Sequence, residues 1–194
     1  MDDVPLVLEA GRDPYIPLIT TVPTDGSEAG GRAFVERQWS RARDGLGYSF
    51  AIAAEDARPG AVGQVGLWPN SRDPGRASSG YFVVERHRGV GLAGRALAAL
   101  ATWAFEPIGI VRLELYVEPW NIGSIRTAER TGFVREGVLR QAQRVGVERR
   151  DMFIYGRLRD DLWDGAGKAG PRRRRRRLDG TAPGTVPNQS VHGP

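Results

Sequence analysis

Cysteine is absent from this chain of 194 residues, and histidine occurs only twice. Without a thiol, the protein cannot form a disulfide, a thiolate metal site or a cysteine nucleophile. Two histidines, His87 and His192, are too few for a histidine-rich metal site. No run of eighteen apolar residues is present, and the acidic first residues lack the basic and apolar regions of a secretory signal. The sequence therefore favours a cytoplasmic protein without a resident metal or a membrane span.

Positive charge is concentrated at the end of the chain. Arg172–Arg177 is an unbroken run of arginines, and the segment from Gly165 onward carries +6, which leaves −1 for residues 1–164 out of a total of +5. Because residues 165–194 have little apolar surface to bury, we predict a disordered tail after one domain covering 1–164. The arginines would allow weak contact with nucleic acid, but a charged tail without a role is the favoured interpretation.

Hydrophobic periodicity predicts alternating helices and strands before the tail. The regions 12–31 and 69–79 are interpreted as loops, and the first two strands as an antiparallel hairpin. The expected fold is an α+β domain with a mixed sheet. The predicted helices are Pro5–Ala10, Ala33–Arg43, 92 to about 105 and 121 to about 131, and the predicted strands are Tyr48–Ala54, Ala61–Trp68, Gly80–Glu85, Val111–Val117, Phe133–Gln141 and Asp151–Leu158.

The most informative segment is a strand, a glycine-containing loop and a helix at residues 80–105. Gly89 and Gly91 permit a tight turn that exposes backbone amides at the positive end of the helix dipole, where a pyrophosphate can bind. Arg86 and Arg88 can add charge. From these residues alone, a plain tight turn is an equally good interpretation. The segment is neither a Walker A loop nor a dinucleotide fingerprint, because no Gly-Lys-Ser/Thr follows and the third glycine comes early.

Further motifs occur in an order that is typical of one family. Arg88-Gly89-Val90-Gly91-Leu92-Ala93 resembles the Gln/Arg-x-x-Gly-x-Gly/Ala signature of GNAT-superfamily N-acetyltransferases. The signature can begin at Arg88, which is preferred because Ala93 then lies at the helix start, or at Arg86. Two later segments, Glu136–Arg140 and Arg150–Met152, are similar to ribosomal-protein N-terminal acetyltransferases of the RimJ/RimL type. The resemblance covers about residues 4–162, and its other motifs are Trp120–Ser124, Glu129–Phe133, Glu136–Arg140 and Arg150–Met152.

This resemblance implies a mostly antiparallel sheet with flanking helices and an acetyl-CoA cleft where two strands splay apart. It implies direct transfer of an acetyl group to a primary amine, either a protein N-terminus or a small molecule, within a ternary complex. The Val84 amide would stabilise the oxyanion. The residues implied in cofactor binding are Val83, Val84, Arg88, Gly89, Val90, Gly91, Leu92, Ala93 and Asn121.

The same resemblance suggests three catalytic residues. Ser124 would be the partner of the departing thiolate, Asn121 would orient the site, and Glu114 would be the base or would position a water. Each has a structural alternative. Asn121 is a good helix cap, and Ser124 could satisfy an amide at the same helix end. Glu114 could pair with Arg112, and Tyr116 could serve as an acid, although packing is the favoured role for that side chain.

The start of the chain departs from the family pattern. The usual first strand is apparently missing, which would expose a sheet edge to a partner strand, and a homodimer is left open. Two other functional classes also remain. One is a non-catalytic acyl-CoA-binding regulatory module, and the other is a protein whose arginine tail tethers it to nucleic acid. A transferase acting on aminoacyl-tRNA would combine catalysis with such tethering.

Overall fold

The computed structural model describes residues 3–54 and 60–161. The boundary at residue 164, the tail after it and the Arg172–Arg177 run lie outside these residues. The described elements are the helices α1 (Val4–Ala10), α2 (Ile16–Ile19), α3 (Glu28–Arg43), α4 (Leu92–Phe105) and α5 (Ile122–Arg130), and the strands β1 (Tyr48–Ala53), β2 (Ala61–Pro69), β3 (Arg76–Val83), β4 (Arg112–Val117), β5 (Val134–Val145) and β6 (Glu148–Leu158).

The six strands form one sheet in the order β1-β2-β3-β4-β6-β5. The β1–β2 hairpin is antiparallel as predicted, and β3–β4 is the parallel pair in this sheet. This mixed, mostly antiparallel sheet with flanking helices confirms the predicted fold class. None of the helices in the described part of the chain is long and apolar enough to cross a membrane.

Successive side chains of β4 point to opposite faces of the sheet, so apolar and polar residues of this strand lie on different faces. Leu113, Leu115 and Val117 are at most 5% exposed and join the hydrophobic core, as the strand period of two predicts. The buried face of α4 contributes to the same core through Leu97, Leu100, Ala101, Ala104 and Phe105. Ala96 and Trp103, which the periodicity places on that face, are only partly buried.

The predicted loop at 12–31 contains structure that the sequence pattern does not indicate. A short helix, α2, lies inside it, and α3 begins at Glu28 rather than at residue 33. Ser27 caps α3 by accepting a hydrogen bond from the Gly30 amide at 2.9 Å. Gly30 and Gly31 suggest a break in the helix, but a Cβ at Gly31 would lie 2.9 Å from Val4, so this glycine allows α1 to pack closely.

Strand β3 also begins earlier than predicted, at Arg76 rather than Gly80. The residues that follow Arg76, Ala77 to Ser79, have small side chains with little intrinsic preference for strands. They are nevertheless ordered by neighbours on both sides, because Ala77 pairs with Pro69 of β2 and with Leu113 of β4. Long-range pairing therefore decides this segment.

Candidate active site

A gap opens between β3 and β4 beyond their first three residue pairs. The two strands pair only from Arg76–Arg112 to Ser78–Glu114, although β3 continues to Val83 and β4 to Val117. Ligands of open sheets commonly bind beyond the carboxyl ends of parallel strands. The glycine loop follows β3 and the start of α5 follows β4, so both predicted motifs meet at this opening.

The backbone of β3 offers hydrogen-bonding groups to the gap. The Val84 amide donates to the Val62 carbonyl at 3.0 Å, so it points toward β2 and is already engaged. Alternate residues of an antiparallel strand point their N–H and C=O groups in opposite directions. Tyr81 and Val83 consequently present their backbone groups to the gap. The Val83 amide thus has the orientation that the predicted cofactor role requires, whereas the Val84 amide is not free to stabilise an oxyanion.

The glycine loop exposes unpaired amides at the start of α4. Gly89 and Gly91 have φ angles of +83° and +82°, in the left-handed region that glycine adopts without steric cost and other residues adopt rarely. Gly91 is the N-cap of α4 and supplies no side chain to satisfy the first-turn amides, which include those of Leu92 and Ala93. Val90, at the tip between the glycines, is 64% exposed. The loop can therefore bind an anion through its backbone.

These backbone angles bear on the two ways of aligning the glycine signature. Both left-handed positions fall on glycines when the signature begins at Arg86. When it begins at Arg88, the second small residue is Ala93, which already lies inside α4. The conformation therefore favours the alignment from Arg86.

The Arg88 side chain supports the loop from within the protein. Its Nε donates to the Val83 carbonyl at 2.8 Å, and its guanidinium forms an ion pair with Asp13. The Arg88 amide is also used, since it donates to the Glu85 carbonyl at 3.0 Å. Arg88 thus connects the glycine loop to the turn between α1 and α2, which leaves anion binding to the amides from Gly89 onward.

Asn121 and Ser124 lie together at the start of α5. The Asn121 side chain accepts a hydrogen bond from the Ser124 amide at 3.0 Å, so its structural role as a helix cap is present. The Ser124 hydroxyl is not used for capping, because it lies 2.9 Å from the hydroxyl of Tyr81 on β3. Ser124 therefore presents its hydroxyl across the β3–β4 gap. Burial raises the pKa of Tyr81 against the opposing effect of this hydrogen bond, which keeps the phenol protonated.

Glu114 lies among cations on the face of β4 opposite the core. It is 5% exposed, and Oε1 accepts hydrogen bonds from Arg76 at 2.6 Å and from Arg112 at 2.8 Å. Oε2 accepts a hydrogen bond from the Tyr116 hydroxyl at 2.9 Å. Burial alone would raise the Glu114 pKa, but these three hydrogen bonds outweigh it, and the pKa lies below its ordinary value.

Such a carboxylate is a poor proton acceptor at neutral pH. The geometry therefore favours the structural alternative for Glu114, namely a charged pair with Arg112, and it extends that pair into a network. Arg112 also forms an ion pair with Glu136 of β5, so the network crosses from β3 to β5. Tyr116 belongs to this network as a hydrogen-bond donor.

Sequence reasoning missed three residues that the fold brings to the opening. Tyr81 contacts Ser124, and its place two residues before Val83 could have indicated it. The Tyr15 hydroxyl donates to the buried carboxylate of Glu118 at 2.6 Å. Glu118 directly follows β4, but Tyr15 comes from the region interpreted as a loop, and no local pattern indicates that these two residues meet.

Comparisons with known proteins agree with this geometry. Residues 2–134 match the acetyltransferase (GNAT) domain family. The chain is 25% identical over 161 residues to the N-acetyltransferase p20 of Bacillus licheniformis, covering 82% of this chain and 89% of that protein. It is 29% identical over 116 residues to the ribosomal-protein-serine acetyltransferase of Escherichia coli, covering 60% of this chain and 63% of that protein.

Among solved structures, RimJ of Mycobacterium smegmatis in complex with CoA-disulfide is similar, with a TM-score of 0.66 and 25% identity. That likeness covers 72% of this chain and 66% of the RimJ chain. The protein belongs to the GNAT acetyltransferase family, with RimJ and RimL enzymes among its structural neighbours. It is an acetyl-CoA-dependent N-acetyltransferase, as the sequence motifs predict.

Proposed function

We propose that acetyl-CoA binds in the gap between β3 and β4 and that the acetyl group passes directly to the N-terminal amine of a protein. The observation that carries the proposal is the divergence of these strands after Ser78 and Glu114, beside a glycine loop with two left-handed residues. The gap between the strands would supply a channel lined by backbone groups, and the glycine loop would supply an anion site at the end of this channel.

The two ends of acetyl-CoA require different contacts. The pantetheine arm contains amides, which can pair with the outward backbone groups of Tyr81 as an added strand would, because the Val83 carbonyl is already engaged by Arg88. The pyrophosphate would accept hydrogen bonds from the loop amides between Gly89 and Ala93, and the α4 dipole would add to this attraction. Because the Val84 amide is engaged with Val62, we assign stabilisation of the oxyanion to the Val83 amide instead.

Ser124 would act on the leaving group. As the thioester breaks, negative charge develops on the CoA sulfur, and a hydroxyl donor lowers the energy of that state. Tyr81 lies within hydrogen-bond distance of the Ser124 hydroxyl and can hold it at the gap. Asn121 would act indirectly, because its cap on the Ser124 amide fixes the start of α5.

The class of acceptor rests on the relatives. The Escherichia coli relative is named for acetylating a ribosomal-protein serine, and the Mycobacterium smegmatis neighbour is a RimJ protein. The first name supports a protein acceptor here, and the RimJ/RimL resemblance implies that the acceptor group is its N-terminal amine. A non-catalytic acyl-CoA-binding module has no specific observation in its favour.

The decisive experiment pairs acetyl-CoA calorimetry with CoA release in the presence of three acceptor sets. These sets are peptides with free N-termini, the same peptides with blocked N-termini and a free lysine, and small amines. We expect binding of acetyl-CoA and CoA release only with free N-termini. CoA release with small amines alone would contradict the proposed acceptor class. A folded protein that does not bind acetyl-CoA would contradict the whole proposal.

Replacing Ser124 with alanine should lower kcat about 10- to 100-fold, while the acetyl-CoA Kd stays within about twofold of wild type. The range follows from the loss of one hydrogen bond to a charged group, which contributes about 1.5–3 kcal/mol. Steady-state CoA release and calorimetry measure the two constants. Ser71→Ala, in the exposed loop between β2 and β3, is the matched control and should keep wild-type rates. An unchanged kcat in Ser124→Ala would leave the hydroxyl with a structural role only.

A further inference from the structure

A second carboxylate on β4's polar side lies in surroundings unlike those of Glu114. Glu118 follows the last residue of the strand and is 4% exposed. Removing a carboxylate from water is unfavourable unless cations or several donors compensate for the lost hydration. Glu114 has that compensation from Arg76 and Arg112. The lost hydration of the Glu118 carboxylate must likewise be compensated by its neighbours.

Within residues 3–54 and 60–161, no cationic side chain forms a salt bridge with Glu118. In the same residues, the Tyr15 hydroxyl is the one side-chain donor to its carboxylate, at 2.6 Å from Oε2. The Tyr15 ring also meets Trp120 edge to face, with centroids 4.9 Å apart. The neutral Tyr15 side chain thus fixes the position of the Glu118 carboxylate, and no cation of the described residues neutralises its charge.

The position of Glu118 connects it with the acetyl-CoA gap. It lies four residues beyond Glu114, where the pairing of β3 with β4 ends, and so at the open end of the gap. Its partner Tyr15 belongs to a turn in which Asp13 accepts hydrogen bonds from the Tyr15 and Ile16 amides. Asp13 also pairs with Arg88 of the glycine loop. This turn therefore bridges the two sides of the opening.

We propose that Glu118, held in place by Tyr15, binds the ammonium form of the acceptor and removes its proton before attack. A buried carboxylate with no cation beside it in residues 3–54 and 60–161, at the open end of the gap, is the complement of a positively charged amine. This inference rests on the proposed function and assigns the group that recognises the acceptor. It also gives the role of base to a residue other than Glu114.

Acetyl transfer begins with deprotonation of the bound ammonium group. The ammonium transfers one proton to Glu118, and the freed nitrogen lone pair forms the C–N bond at the thioester carbonyl carbon. The tetrahedral intermediate then collapses, the C–S bond breaks, and its electron pair leaves with the sulfur. The second nitrogen proton compensates the thiolate and yields the CoA thiol. Glu118 returns its proton to solvent, so one proton is released per turnover.

The test compares wild type with Glu118→Gln, which has nearly the same shape but no charge. We expect kcat/KM for a free N-terminal peptide to fall about 100-fold, because base catalysis is lost, with little change in the acetyl-CoA Kd. Tyr15→Phe should give a smaller loss, and Glu118→Asp should retain part of the activity. Glu36→Gln, on the exposed side of α3, is the matched control with wild-type values.

Binding of a cation provides a readout that does not depend on turnover. A peptide with a trimethylated alanine N-terminus keeps the positive charge but has no proton to lose. It should bind wild type at least 10-fold more tightly than Glu118→Gln, as measured by calorimetry with CoA present. Equal affinity for both proteins, or Glu118→Gln activity within threefold of wild type, would overturn this inference. Wild type that acetylates no amine would contradict the proposed function instead, and the calorimetric comparison would still decide the role of Glu118.

Discussion

Replacing Gly91 with valine is expected to weaken acetyl-CoA binding several hundredfold while the domain stays folded. Gly91 has a φ of +82°, which a β-branched residue adopts only at considerable cost. A Cβ at this position would meet no protein atom within 4 Å, so the effect comes from the backbone conformation and not from a clash inside the protein. The chain would leave the left-handed region and turn the loop amides away from the pyrophosphate.

The expected size follows from the number of donors that are lost. Hydrogen bonds to a charged group contribute about 1.5–3 kcal/mol each, so misdirecting two of them costs about 3–6 kcal/mol, and the lower part of this range gives the expected several-hundredfold loss. Each 1.4 kcal/mol corresponds to about a tenfold change in affinity. Calorimetric titration with acetyl-CoA and a thermal melt measure the two quantities.

Gly94→Ala is the matched control for Gly91→Val. Gly94 lies inside α4, and a Cβ there would rest 3.8 Å from Thr131, an ordinary contact. Alanine in place of an interior helical glycine should stabilise the protein by about 0.5–1 kcal/mol without weakening acetyl-CoA binding. If Gly91→Val bound acetyl-CoA as tightly as wild type does, the glycine loop would not be the pyrophosphate site.

The second large effect is expected at Glu114, where replacement by glutamine should lower the free energy of unfolding by about 2 kcal/mol. Breaking a buried ion pair typically costs about 3–5 kcal/mol, and the estimate is reduced because Arg76 is partly exposed and Arg112 keeps Glu136 as a partner. For a domain of this size, the melting temperature should fall by about 4–8 °C. At a temperature where the variant is folded, we expect turnover to persist.

The pH dependence of this loss has a definite sign. Because the folded-state pKa of Glu114 lies below the ordinary value of 4.5, its contribution to stability is complete above that value. The contribution disappears as the pH falls through the folded pKa. Wild type and Glu114→Gln should therefore differ fully at neutral pH and converge in acid, as urea denaturation at several pH values would show.

Glu36→Gln should leave stability nearly unchanged at every pH, because this side chain lies exposed on α3. A Glu114→Gln variant with wild-type stability but without turnover would contradict the structural role and return Glu114 to the position of general base. The two outcomes differ in both measurements, so the experiment separates an ion-pair network from a catalytic residue.

Features set by neighbouring residues could be predicted from the sequence. The capping of α5 by Asn121 depends on a side chain and an amide three residues apart, and it forms as expected. The left-handed loop follows from Gly89 and Gly91, which tolerate angles that other residues avoid. The β1–β2 hairpin likewise follows from two alternating segments and a short connection.

Local patterns failed where distant contacts override propensity. Gly30 and Gly31 suggested a loop, yet they lie in α3, because Ser27 caps this helix and α1 packs against Gly31. The start of β3 falls within the predicted loop at 69–79, yet pairing with two neighbouring strands orders it. In both cases the deciding partner lies outside the window that periodicity considers.

The sequence by itself determined the order of the strands and longer helices, the left-handed glycine loop and the family, since these depend on hydrophobic periodicity, local stereochemistry and short motifs. Only the tertiary structure decided which acidic residue is paired with cations and which with a neutral donor. Glu114 and Glu118 are four residues apart, and nothing local separates them. Arg76, 38 residues from Glu114, neutralises it, whereas Tyr15, 103 residues from Glu118, fixes that carboxylate without neutralising it. The charge state and reactivity of a carboxylate depend on what surrounds it in space, and folding alone brings those partners together.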